Sequence, residues 1–218
     1  MFQGPFNYSI IKRARDSGIA VIKFINIRDF GIGKHKVVDD KPFGGGTGMI
    51  LRVDVLKRAI EKTKDMSGQK GQKVILLTPT GIPFNQKIAR NLSKLDHLIL
   101  VCGHYEGVDK RIEKFVDEKI SVGDFITTGG EIPAMLITDA VVRLTKGTLK
   151  ESAVNKESFS PHLEYPQYTK PRRYNNLRVP KILLSGDHKK IDKWQNTQSI
   201  KNTIKSRPDL LKKDRSSF

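Results

Sequence analysis

Apolar and polar positions along the chain follow two rhythms. Residues 73–78 (KVILLT) and 97–102 (HLILVC) are short unbroken apolar runs, which predict buried strands. Residues 19–27 (IAVIKFINI) are rich in β-branched and aromatic types and read as another strand. Elsewhere the apolar residues fall three and four apart. Ile10, Ile11 and Ala14 mark a short helix over 9–16. Val53, Leu56, Ile60 and Thr63 mark a second, and Phe84, Ile88, Leu92 and Leu95 a third. A polar helix is expected near 109–115 and a short strand around Ile120. Residues 131–144 predict an apolar helix whose first turn tolerates Pro133. Residues 188–204 predict a basic helix with Ile191, Trp194, Ile200 and Ile204 as its apolar positions.

Strands alternating with helices imply an α/β layer with a mostly parallel sheet. Residues 28–48 read as a loop, and residues 145–168, without strong periodicity, as a long connection of the kind that serves as a linker or a functional loop. The expected organisation is an α/β domain over 1–149, an interdomain loop over 150–165 and a small basic helical domain over 166–218.

Composition narrows the setting. No apolar run approaches the roughly 20 residues of a membrane span. The opening Met1-Phe-Gln-Gly-Pro5 lacks the charged and apolar regions of a signal peptide. One cysteine, Cys102, excludes a disulfide framework and any multi-cysteine zinc site. A cytoplasmic protein is expected. The net charge is +17, and it is uneven: residues 166–218 carry 14 Lys/Arg against 4 Asp/Glu, a net of +10. Such a basic segment suits a polyanion, because neutralised phosphates release counterions. A solvated basic surface is the bland alternative.

Ligands of open α/β sheets bind at the carboxyl ends of the strands. Three such ends here are glycine-rich: Thr78-Pro-Thr-Gly81, Gly103-His-Tyr-Glu-Gly107, and Ser121-Val-Gly-Asp-Phe-Ile-Thr-Thr-Gly-Gly130. Glycine lets backbone approach a ligand closely, and a pocket of backbone groups suits an adenine ring and a ribose. Any one of these glycines is more simply a turn residue; three in register shift the balance. The dinucleotide fingerprint, the P-loop, H-E-x-x-H and G-x-S-x-G are all absent, and five scattered histidines argue against a metal cluster. Gly44-Gly-Gly-Thr-Gly48 does not open a helix directly, so it is a poor phosphate loop and reads equally as a flexible lid.

In order along the chain stand Arg28-Asp-Phe30, Lys34-His35, Val38-Asp-Asp-Lys-Pro-Phe-Gly-Gly-Gly-Thr-Gly-Met49, Cys102-Gly-His-Tyr-Glu-Gly-Val-Asp109, Asp117-Glu118, Ser121-Val-Gly-Asp124, Gly129-Gly-Glu131, Pro133-Ala-Met135, Tyr168-Thr-Lys-Pro171, Val179-Pro180, Leu183-Leu-Ser-Gly186 and Arg207-Pro-Asp-Leu-Leu211. Together they resemble the bacterial tRNA (guanine-N1)-methyltransferases, the TrmD family of the SPOUT superfamily. The resemblance implies a trefoil-knotted α/β methyltransferase domain, a small C-terminal helical domain and a homodimer with each active site between subunits. It implies S-adenosylmethionine as methyl donor, tRNA as partner and Mg²⁺ as an aid. The reaction it implies is transfer of a methyl group to N1 of the guanosine just 3′ of the anticodon.

By the same resemblance Leu76, Leu77, Pro79, Gly103, Tyr105, Val122, Gly123, Asp124, Phe125, Ile126 and Thr127 match donor-binding positions, with Gly129, Gly130 and Pro133 adjoining. Glu106 and the glycine loop, including Gly45 and Gly46, match the region that meets the guanine, with Asp40 beside it. Arg143 matches the family's catalytic arginine, and its bland reading is a cation complementing a helix C-terminus. Guanine N1 holds a proton at neutral pH, so a carboxylate must remove it while a cation stabilises charge on O6.

The sequence also departs from the family. The interdomain loop reads Lys156-Glu157-Ser158-Phe159, where the family has Asp before Ser-Phe. Glu157 keeps the carboxylate with one more methylene, a displacement of about one carbon–carbon bond, and a misplacement of about that size can cost ~10²-fold in rate. Thr78-Pro-Thr-Gly81 replaces the usual Ser-Pro-Gln-Gly, and His104 stands where Arg is usual. The family opens with a strand ending in Phe-Pro-Glu-Met-Phe, whereas this sequence starts at Met1-Phe2 without it, which reads as a misassigned start, a fragment or a sheet that has lost one strand. Two other readings stand beside the enzyme: an RNA-binding dimer with weak or no catalysis, and a SPOUT methyltransferase acting on another RNA guanosine.

Overall fold

A computed structural model describes residues 1–66, 71–155 and 157–211. Lys156 and the last seven residues of the basic segment lie outside the described residues. Met1–Leu149 and Lys150–Phe218 form two compact units.

The first unit is mixed α/β, built on a three-stranded parallel sheet in the order β4-β3-β5, with β3 spanning Gln72–Pro83, β4 His97–Cys102 and β5 Glu118–Ser121. Successive side chains of a strand point to opposite faces, and both faces here are covered, which is why these strands read as continuous apolar runs. Val74, Leu76, Ile99 and Val101 pack on one side against α3 (Val53–Asp65), through Val55, Leu56 and Ile60. Ile75, Leu77 and Ile120 pack on the other against α5 (Glu131–Val142), through Ala134, Ile137 and Val141. The helix α4 (Gln86–Leu92) carries the crossover from β3 to β4, with Asn85 capping it by accepting from the Ile88 amide at 3.0 Å.

A third cluster joins the N-terminal helices α1 (Gln3–Phe6) and α2 (Ser9–Asp16) to the end of α5, through Phe6, Ile11, Ala14 and Val142. The two-stranded pair β1 (Asp39–Asp40) and β2 (Ile50–Leu51) is antiparallel, and the glycine loop is its tip.

Three expectations change. Residues 20–26 pair with no strand, and Val21 and Phe24 stay exposed at 76% and 52%. β-rich composition reports a fit to a sheet, and among the described residues no strand pairs with this stretch. The polar helix near 109–115 is a 3₁₀ turn, Lys110–Phe115, started by Asp109. The strand expected over 73–78 continues to Pro83, because β3 meets β5 twice: Leu77 and Ile82 both stand opposite Ile120.

The second unit contains α6 (Glu151–Val154), the hairpin β6 (Arg173–Tyr174) with β7 (Leu177–Arg178), and α7 (His188–Ser206). The expected basic helix is present as α7, and of its apolar residues Ile200 and Ile204 are exposed. The less exposed face runs Ile191, Trp194, Gln195, Gln198, Ser199, Asn202 and Thr203, a helical spacing made largely of polar residues. Those polar groups hold the loop before them. Leu163 N–H donates to Thr203 Oγ1 at 3.0 Å, Ser199 donates to Leu163 O at 2.6 Å, and Asn202 donates to Glu164 O at 3.0 Å. Thr203 is the one fully buried side chain among the described residues of this unit.

Candidate active site

The residues between the two Ile120 pairings leave the ladder, so Thr78-Pro-Thr-Gly81 loops out at the carboxyl end of β3. Gly81 is required there, because a Cβ would run into the Ile120 backbone. The second glycine-rich turn leaves β4 at Gly103 and is pinned to the third. Gly130 N–H donates to Gly103 O at 2.7 Å, and His104 bridges Gly129. A Cβ on Gly130 would lie 2.7 Å from Cys102 Cα, so close approach of the two backbones again needs glycine. In the third turn the Ser121 hydroxyl donates to Gly123 O at 3.1 Å and Thr127 donates to Gly129 O at 2.8 Å.

These three turns enclose a cleft of about 320 Å³ at the carboxyl ends of the strands. Leu77, Pro79, Gly103 and Tyr105 line it, as do Val122, Gly123, Phe125, Ile126, Thr127, Gly129, Gly130 and Pro133. Of the expected donor positions, Leu76 and Asp124 do not. Leu76 faces the opposite side of β3 from Leu77 and is buried against α3, and Asp124 is exposed. Thr78, His104, Ser121 and Thr128 line the cleft as well and were not expected as donor contacts, although all four lie inside the glycine-rich segments.

Tyr105 takes a left-handed backbone, φ 57°, a conformation uncommon for an aromatic residue. Its ring meets His104 edge-on at 4.5 Å. His104 Nδ1 is buried without a hydrogen bond, and Glu131 Oε1 stands 3.7 Å away, beyond hydrogen-bond reach. Cys102, beneath this turn, is held as a thiol: burial first, then the Glu131 carboxylate, pushes its pKa up to about 12.

Glu106 also lines the cleft. Its amide donates to Met49 O at 3.1 Å, while Leu51 N–H donates to Gly107 O and Asp109 N–H to Leu51 O, each at 3.0 Å. The glycine loop is thereby stitched to the second turn. Gly44, Gly45, Gly46 and Gly48 all have φ between 86° and 122°, the left-handed region that favours glycine. Gly45 and Gly46 themselves do not line the cleft, and Asp40 points elsewhere, 3.3 Å from the Arg52 guanidinium.

Arg143 stands at the C-terminal cap of α5, half-buried, and Glu157 belongs to the second unit. There Glu157 precedes a tight turn: Glu164 N–H donates to the Ser158 hydroxyl at 3.1 Å, Phe159 N–H to His162 O at 2.8 Å, and Phe159 has φ 67°. Among the described residues no group of three or more His, Cys, Asp or Glu is arranged to hold a metal ion, and no helix is long and apolar enough to cross a membrane.

Comparison with known proteins bears on this cleft. A family model described as tRNA (Guanine-1)-methyltransferase TrmD matches residues 1–213. A tRNA (guanine-N(1)-)-methyltransferase of Dictyoglomus turgidum is 50% identical over 215 residues, covering 98% of this chain and 86% of its own. Its namesake in Carboxydothermus hydrogenoformans is 52% identical over 97% of this chain and 83% of its own. That of Staphylococcus epidermidis is 50% identical over 97% and 86%. With a match of this extent over both units, the chain belongs to the TrmD family of tRNA (guanine-1)-methyltransferases.

Proposed function

We infer that the chain is a tRNA (guanine-N1)-methyltransferase that uses S-adenosylmethionine to methylate N1 of the guanosine immediately 3′ of the anticodon. The observation that carries this reading is the cleft at the carboxyl ends of the parallel strands, walled by three glycine-rich turns, in a chain about half identical to enzymes of that name. The cleft fits the donor. Its volume lies within the range of small-molecule sites, its walls are rich in glycine, and Leu77 and Val122 add apolar surface. The trefoil knot, the SPOUT classification and a cytoplasmic setting belong to the same reading.

When bound, the donor supplies an electrophilic methyl carbon on a positively charged sulfur and departs as a neutral thioether. The chain's part is to make guanine N1 a nucleophile and to aim it. Glu157 is the proposed general base, taking the N1 proton as the new N–C bond forms and the C–S bond breaks. Arg143 is proposed to stabilise the negative charge that deprotonation places on O6. Glu106 and the glycine loop hold the base in line, because proximity and orientation are most of what methyl transfer requires. Mg²⁺ as an aid belongs to the same reading, since that ion keeps several waters and asks for one or two carboxylates rather than a closed cluster.

A homodimer is part of the proposal. Phe125 and Ile126 at the cleft rim, with Ile132 and Leu136 one turn apart on α5, leave apolar surface exposed, Ile126 at 82%. A two-fold interface would use such a patch on both copies. The basic residues 166–218 are proposed to bind the tRNA backbone. The experiment is methylation of an unmodified tRNA transcript with S-adenosylmethionine, followed by mapping of the modified base. Absence of N1-methylguanosine next to the anticodon overturns the reading. An RNA-binding dimer without turnover, or a methyltransferase for another RNA guanosine, is not favoured by relatives of this identity.

A further inference from the structure

Every residue from 167 to 178 is exposed, the longest such run among the described residues. Inside it the hairpin of β6 and β7 turns on Asn175-Asn176, with Asn175 at φ 52°, a left-handed conformation that Asn tolerates. Its register sets Arg173 opposite Arg178 and Tyr174 opposite Leu177. Opposite residues share a face and successive residues alternate, so the hairpin has an arginine face and a Tyr–Leu face. Arg172 falls on the Tyr–Leu side, and its carbonyl continues the ladder by accepting from Val179 N–H at 3.1 Å.

Neither face suits water alone. Arginines directly opposite each other repel, and no Asp or Glu stands between Glu164 and Asp187 to offset them or Lys170, Arg172 and Lys181. Arg173 Nε donates to Asn175 O at 3.0 Å, which holds its guanidinium beside the turn. On the other face Tyr174 is 66% and Leu177 74% exposed. Tyr168 leans on Trp194 of α7, ring centroids 6.5 Å apart, whereas Tyr174 has no ring partner among the described residues. All four paired residues are exposed, so no core beneath them calls for arginine, tyrosine and leucine.

The occupant that answers both faces carries negative charge and a flat apolar surface. A nucleotide has both. In a duplex the bases are stacked on one another, and RNA-binding aromatics take unpaired bases instead. An acidic peptide would meet the arginines and leave Tyr174 and Leu177 in water. We propose that the hairpin of β6 and β7 grips an unpaired RNA nucleotide, whose base stacks on Tyr174 beside Leu177 and whose phosphate meets Arg172. Arg173 and Arg178 then share a neighbouring phosphate, which removes their repulsion. The proposal takes RNA as the partner from the methyltransferase reading and adds a base contact that charge alone does not supply.

The test is filter binding of the full chain to an unmodified tRNA transcript, to oligoadenylate and to an abasic strand of equal length. Tyr174→Leu keeps an apolar side chain but removes the ring. It should weaken tRNA and oligoadenylate binding about fivefold or more, the lower end of what one base stacked on an aromatic contributes, and leave the salt slope unchanged. Tyr174→Phe should bind as the wild type does, and the abasic strand should not distinguish the three proteins. Replacing Arg172, Arg173 and Arg178 together with Gln should instead lower the slope of log affinity against log salt by about 2 to 3. Circular dichroism verifies that each variant is folded. Equal tRNA affinity for wild type and Tyr174→Leu overturns the proposal, as does an equal loss with the abasic strand or in the Phe variant. Binding to phosphatidylserine vesicles that falls in the Leu variant while RNA binding holds would assign the hairpin to a membrane surface instead. The methylation assay reads the underlying function separately. A wild type that forms N1-methylguanosine, with a Leu variant that binds tRNA as tightly, fails the hairpin alone. A wild type that forms none, with a Leu variant that loses RNA binding, fails the methyltransferase reading alone.

Discussion

The Glu106 side chain lies over Gly48, so near that a Cβ on the glycine would overlap its carboxylate. Gly48 also has φ 90°, so any other residue is strained there on two counts. Gly48→Ala should displace Glu106 and lower kcat/KM for tRNA by about tenfold to a hundredfold, the scale set by misorientation of a reacting group. Calorimetry should find donor affinity within about twofold of wild type. Equal loss of donor binding would show that the loop shapes the donor cleft rather than the guanine site.

Gly103 offers a graded probe of the cleft. A Cβ there meets Val108 Cγ1 at 3.6 Å and Leu77 O at 3.9 Å, ordinary contact distances. Gly103→Ala should therefore fold and bind donor with modest loss, whereas Gly103→Val projects further methyls into the space and should weaken binding at least about tenfold. Isothermal titration with S-adenosylmethionine, with circular dichroism to verify folding, decides. Unaltered affinity in a folded Val variant removes Gly103 from the donor site.

Glu157 is the residue whose chemistry is most exposed to test. Glu157→Gln should remove nearly all turnover while both ligands still bind, because an amide cannot accept the N1 proton. Glu157→Asp should keep or raise the rate by restoring the shorter carboxylate of the family. Single-turnover rates of the wild type and the Gln variant on the same tRNA read this directly. Equal rates for wild type and Gln variant sink the assignment.

The basic face of α7 should act through charge alone. Lys189, Lys193 and Lys201 are exposed. Replacing all three with Gln should weaken tRNA binding and reduce the slope of log affinity against log salt by about 2 to 3, since each neutralised phosphate adds roughly 0.7 to 0.9 to that slope. Filter binding between low and moderate salt measures this. An unchanged slope means these lysines do not meet phosphate.

Asp109 ties the second turn to the 3₁₀ segment after it. Its carboxylate accepts from the Arg111 amide at 2.9 Å and pairs with the Arg111 guanidinium, and these bonds, the side-chain pair foremost, hold its pKa below the usual carboxylate value. A lowered folded pKa contributes stability that is present above the unfolded value near 3.9 and lost as pH falls through the folded one. Asp109→Asn should therefore lower the thermal midpoint by about 1 to 3 °C at pH 7, a small effect because Arg111 is solvated. The two proteins should converge as pH falls below the folded value. A difference that persists in acid would assign the effect to capping rather than charge.

How far the sequence foretold this molecule depended on whether a signal was local. The apolar runs at 73–78 and 97–102 and the stripe at Val53, Leu56 and Ile60 are local, and the strands and helices stand where they pointed. The glycine-rich strand ends were legible for the same reason, and their three turns do converge. Pairing is not local. Residues 20–26 have strand composition but pair with no strand among the described residues, and the second meeting of β3 with Ile120 depends on a partner far along the chain. The closeness of Glu106 to Gly48 is a tertiary fact with no periodicity to announce it. In α7 the spacing of Ile200 and Ile204 was sound helix logic, but the face turned inward is the one that can hydrogen-bond the loop backbone at Leu163 and Glu164.

That polar inner face of α7 has a calorimetric consequence. Apolar exposure raises the heat capacity on unfolding and polar exposure lowers it, and the described part of the second unit fully buries Thr203 and no apolar side chain. Its melting should therefore carry a small heat-capacity increment per residue and a shallow dependence of stability on temperature, unlike the sheet unit with its two apolar layers. Held by a few hydrogen bonds, such a unit tightens only when something else supplies the missing contacts. If this unit binds tRNA as proposed, the RNA should raise its melting temperature by mass action.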